Sequence, residues 1–114
     1  MTDLDLIEAA GRAAGYAVRR CRVGEVDVIH ALTARRVWVR FDPLSDSTEA
    51  FRLLANCRMA LSVGESNVVA TVFPGGGALT ILEPVKGDPA AVARRAIVRA
   101  AEALYNFRSA GELE

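Results

Sequence analysis

The chain has 114 residues, of which 52% are hydrophobic and 25% charged, a composition that suits one domain and excludes a disordered chain. Lys and Arg total 14, as do Asp and Glu, so no global field draws a polyanion, and no nucleic acid polymer is expected as a partner. Lys86 is the only lysine; GC-rich coding accounts for the arginine excess, although Arg is also the better fork for phosphates and carboxylates. Cys21 and Cys57 lack CxxC spacing and companions for a zinc site, and read as small buried apolar residues in a reducing compartment. The acidic segment at Asp3 and Asp5 leads into no signal-type apolar core, and no run approaches the ~18 apolar residues of a membrane span. A soluble single domain over residues 1–114, kept inside the cell and away from membranes, is the expectation.

Asp3 to about Ala14 has helical periodicity, with Leu6, Ile7, Ala9, Ala10, Ala13 and Ala14 clustered on one side. Thr2 or Asp3 suits the N-cap and Gly15 the end. Tyr16 to Val23 and Val26 to Leu32 read as strands joined at Gly24-Glu25, without a clean alternation to set their register. Arg36 to Phe41 does alternate, so Val37, Val39 and Phe41 point one way and Arg36, Trp38 and Arg40 the other.

Asp42-Pro43 ends that strand, and Asp46 with Glu49 has the spacing of a capping box. The helix it opens runs to about Arg58 and is expected to present Phe51, Leu54, Ala55 and Cys57 to a core. Met59 to Val63, Val68 to Phe73 and Ala78 to Leu82 are short strands, joined by Gly64 to Asn67 and by Pro74 to Gly77. After Gly87, Asp88 caps and Pro89 takes the first position of a final helix running to about Phe107. Its apolar stripe is Ala93, Ala96, Ile97, Ala100, Ala101 and Leu104, with Arg95, Arg99 and Glu102 opposite. Short connections favour antiparallel pairing. The expected fold is α+β, an antiparallel β-sheet packed with helices as an α-β-α sandwich in the order αβββαβββα.

Catalytic chemistry is hard to assemble from these residues. His30 is the only histidine; it sits in an apolar strand run with no nucleophile motif beside it. The carboxylates fall at helix caps and outer faces, where capping and solvation already account for them. Pro74-Gly75-Gly76-Gly77 lacks the Lys and following helix of a phosphate loop, and reads as a hairpin. No enzyme, cofactor or metal site is expected.

Two groups remain as ligand-binding candidates. Trp38 shares a strand face with Arg36 and Arg40, so an aromatic plane stands beside guanidinium groups able to stack a purine and pair a phosphate. The alternative is a Trp covered by a helix, with its arginines reaching past it to solvent. Arg94, Arg95 and Arg99 form the second group; a solvated charged face accounts for the latter two. Arg94 lies beside Val98 and Tyr105, a flank that fits a subunit contact or the wall of an anionic pocket.

Three segments carry a family resemblance: Val37-Trp-Val-Arg-Phe-Asp-Pro-Leu-Ser-Asp-Ser-Thr-Glu-Ala-Phe51, Val68-Val-Ala-Thr-Val72 and Ala93-Arg-Arg-Ala-Ile-Val-Arg-Ala-Ala-Glu-Ala-Leu104. Over about two-thirds of its length the chain resembles the small phage proteins described as ABA-sandwich or NinX-like domains. The resemblance implies a phage product acting in the host cytoplasm. Many proteins of that kind have no known function, and some similar small phage proteins act as sponges, oligomers that sequester cyclic nucleotide or cyclic ADP-ribose immune signals without turning them over. The competing expectation is an inhibitor or adaptor that binds a host protein directly, through Val92, Val98, Tyr105 and Phe107.

Overall fold

A computed structural model describes residues 2–112. The elements are α1 (Asp3–Ala13), β1 (Val18–Val23), β2 (Val26–Leu32), β3 (Trp38–Arg40), α2 (Ser47–Asn56), β4 (Ala60–Val63), β5 (Asn67–Val72), β6 (Leu79–Pro84) and α3 (Pro89–Glu112). This is an α+β fold in the order αβββαβββα. The strands form two antiparallel sheets, β1-β2-β3 (sheet A) and β4-β5-β6 (sheet B), and no strand of one pairs with the other. None of the helices among the described residues is long and apolar enough to cross a membrane.

Helix α3 is the shared element. One side packs on sheet B, while α1 and α2 lie against the rest, and α1 in turn rests on β1 and β2. Its alanine-rich stripe permits that close approach: Ala96, Ala100 and Ala101 are wholly buried, with Ile97 and Leu104 beside them. The expected stripe is thus the inner face. Val98, assigned by sequence to an outer contact surface, is also wholly buried. A helix covered on more than one side buries a wider arc than one apolar stripe.

Helix α2 turns a different face inward from the one expected. Ala50, Leu53 and Cys57 are buried and Leu54 is half-buried, whereas Phe51 is 66% exposed and Ala55 is exposed. Positions 50, 53 and 57 share the i, i+3, i+7 face, and Ala50 gives it a small residue where α2 meets α3. Asp46 caps α2 through Thr48 N (2.9 Å) and Glu49 N (3.3 Å), while Glu49 pairs with Arg52 (3.3 Å).

Thr2 and Asp5 cap α1 reciprocally. The Asp5 carboxylate accepts from Thr2 N, Thr2 Oγ1 and Arg20 Nη2, each at 2.9 Å. The Thr2 backbone N–H first, and then Arg20, hold this carboxyl far below the usual carboxylate range. A depressed folded-state pKa gives stability that is present above the unfolded value of about 3.9 and is lost as pH falls through the folded value. Asp5→Asn should therefore lower the urea midpoint at neutral pH, and its deficit against the parent should shrink steadily as the solution is acidified below about pH 4. A deficit independent of pH would contradict this account.

Candidate functional site

Register on sheet A decides which side chains meet. Cross-strand partners share a face, and Val18↔Ala31↔Val39 and Arg20↔Ile29 lie on the side facing α1. The alternate residues turn away from it. Arg19↔His30↔Arg40 make one row across all three strands, and Leu32↔Trp38 belong to the next. The Arg19 guanidinium carbon stands 4.2 Å from the Trp38 ring centroid, well inside cation–π range. Trp38 is half-buried, and an arginine from the far edge strand lies over its ring.

The hairpin before β3 adds more positive charge. Thr33 N donates to Val37 O and Arg36 N to Thr33 O, both at 2.9 Å, which closes a tight loop over Ala34, Arg35 and Arg36. Arg36 takes φ 66°, the left-handed position such hairpins usually give to glycine. A non-glycine residue there costs about 1–2 kcal/mol. Arg36 consequently sits in the turn, and the strand alternation begins only at Trp38. Arg19, Arg35 and Arg36 have no carboxylate within ion-pair distance among the described residues, and Arg40 has only Asp42 at 3.9 Å. Arg19 thus lies over Trp38, Arg40 shares its strand face, and Arg35 and Arg36 stand in the adjoining turn, in a chain of zero net charge.

His30 occupies the middle of the basic row. It is half-buried, and its Nδ1 is a buried atom with no hydrogen-bond partner among the described residues. Burying such a nitrogen unpaired costs about 1–3 kcal/mol. Sequence reading missed Arg19 and left His30 without a role; their alignment with Arg40 depends on the β1–β2 and β2–β3 registers.

The α3 arginines lie elsewhere, each held by the protein. Arg94 donates from Nε to Leu44 O (2.9 Å) and from Nη1 to Ser47 Oγ (3.0 Å), tying α3 to the loop before α2 and to the first residue of α2. Arg95 pairs with Asp3 at 3.3 Å, and Arg99 with Glu83 of β6. Their partners stand on three separate segments, and Trp38 is not among them. Of the apolar flank on α3, Val98 is buried, Val92 and Tyr105 are packed against the core, and Phe107 is exposed.

A cavity of about 390 Å³ opens on the opposite side of sheet A, between the β2–β3 hairpin and α2. Tyr16, Ala31, Val39 and Phe41 line it, with Glu49 and Arg52 from α2. Among the described residues no three His, Cys, Asp or Glu side chains gather so as to hold a metal ion. No protein-family model matches the chain, and neither a curated protein nor a solved structure does.

Proposed function

We propose that this chain is a non-catalytic phage anti-defence protein that binds and sequesters a small nucleotide immune signal, working as a homo-oligomer in the host cytoplasm. The observation that carries the binding part is the outer face of sheet A. An aromatic plane stacked by the Arg19 guanidinium shares its sheet face with Arg40 and adjoins a turn that carries Arg35 and Arg36, an arrangement complementary to a base joined to phosphate. The signal-sequestering part draws on the phage-protein resemblance of the quoted segments. Arg36, Trp38 and Arg40 serve as the ligand face together with Arg19, Arg35 and His30. Arg94, Arg95 and Arg99 stabilise the fold through their protein partners.

The test is calorimetry with cyclic dinucleotides and cyclic ADP-ribose isomers, followed by heating to release the ligand for mass analysis. At least one should bind and be recovered intact. Base–aromatic stacking is worth about 1–3 kcal/mol, so Trp38→Ala should weaken binding by roughly 5- to 150-fold, and Arg94→Ala should leave it unchanged. Failure of every nucleotide to bind, or recovery of a hydrolysed product, would reject the reading.

A further inference from the structure

The cavity beneath the β2–β3 hairpin has a chemistry of its own, and it does not depend on the Trp38 face. At about 390 Å³ it lies within the usual range of roughly 300–1,000 Å³ for small-molecule sites. The half-buried Tyr16 ring lines it, backed in edge contact by the buried Phe41 ring 5.6 Å away at 86°. Ala31 and Val39 add aliphatic wall. Val39 faces the α1 side of sheet A, yet 42% of it is exposed, because nothing among the described residues fills the space beside it.

The polar groups at this apolar slot are few and incompletely paired. Asn56 Nδ2 donates to Tyr16 Oη at 2.7 Å, which leaves the phenol's own hydrogen for another acceptor. Burial first, and then the negative charge of Glu49, push the Tyr16 pKa up, so the phenol stays a donor at neutral pH. Thr33 Oγ1 accepts from Val37 N at 3.2 Å, and its hydrogen is likewise left over. Glu49 Oε1 meets Arg52, leaving Oε2 for an N–H donor.

We infer that this cavity binds a small, uncharged heteroaromatic ring bearing both a carbonyl or ring-nitrogen acceptor and an N–H donor, the chemistry shared by free nucleobases and aromatic amides. The ring meets Tyr16 and Val39, acceptors take the Tyr16 and Thr33 hydroxyls, and the N–H meets Glu49. A plain hydrocarbon leaves those polar groups unpaired, and Glu49 and Arg52, already paired with each other, offer an ion no unmatched charge. Desolvating any ion against the apolar walls adds a further penalty.

Adenine, uracil and nicotinamide, with toluene as the apolar control, would be titrated while the Ala31 and Val39 methyl resonances are followed. At least one ring should shift them saturably and bind more tightly than toluene. Tyr16→Phe should weaken that ring at least fivefold and leave toluene unchanged, and Val39→Trp should abolish the shifts by filling the slot. Trp38→Ala should leave ring binding intact, which separates this site from the nucleotide face. The proposal is overturned if no ring shifts these methyls, if toluene binds equally well, or if a folded Val39→Trp protein still binds. Ring binding lost in Trp38→Ala and unaffected by Tyr16→Phe also overturns it, while leaving the outer-face reading standing.

Discussion

Phe41→Ala should destabilise the protein by about 3–5 kcal/mol, the range for removing a fully buried aromatic. Phe41 is 2% exposed and immediately follows β3, with its N–H bonded to Ile29 O at 2.9 Å. Its ring fills the angle between sheet A and α1, touching Tyr16 and approaching Gly11. A typical domain has only about 5–15 kcal/mol of net stability, so the loss would remove a large share of it. Urea unfolding followed by far-UV circular dichroism measures the effect. A shift under about 1 kcal/mol would mean that the site collapses to fill the gap, against the usual cost of a core cavity.

Gly11→Ala is the second large effect, and its sign opposes helix propensity. Gly11 lies within α1, where alanine is normally better by about 1 kcal/mol. Here an added Cβ would stand 2.6 Å from Val18 Cγ1 and 3.2 Å from Phe41 Cε2. Val18 is β-branched and stiff at χ1, so it cannot swing clear without moving β1. Overpacking of this kind costs about 1–3 kcal/mol, and Gly11→Ala should lower the urea midpoint accordingly. Against a Val18→Ala background the nearer clash disappears, and the same change should become neutral or mildly stabilising. Equal costs in both backgrounds would show that Val18 is not the obstacle.

Much of the fold was legible because its signals are local. Asp46 and Asp88 mark helix starts through side chains that reach only two or three residues, and Pro89 does so through its fixed φ. The α3 stripe was legible for a related reason, since alanines at helical spacing have no competing strand reading. The face of α2 was not. Phe51 is the more hydrophobic candidate, yet small Ala50 lies inward because α3 passes close, a tertiary constraint invisible in the segment itself. The division of six strands into two sheets was equally hidden, since short antiparallel connections suit either arrangement.

The candidate site divides along the same line. Trp38 and Arg40 were found because β3 alternates. Arg19 and His30 join them only through cross-strand register, and β1 and β2 alternate too poorly to reveal it. The α3 arginines looked available because a helical wheel shows solvent but not Asp3, Leu44, Ser47 or Glu83, which come from distant parts of the chain.

The separation of the two sheets bears on how the molecule opens. Sheet B is bound directly to the central helix, whereas sheet A reaches that helix chiefly through α1. Cooperative units of a protein open with free energies set by what each must release. Sheet A can therefore loosen as a unit, hairpin and basic row together, while α3 and sheet B keep their amides protected from exchange with solvent. The proposed ligand face would ride on this unit. An occupant bridging β1, β2 and β3 would bind only its closed form, so its affinity would register as slower exchange across three strands rather than at the contacting residues alone.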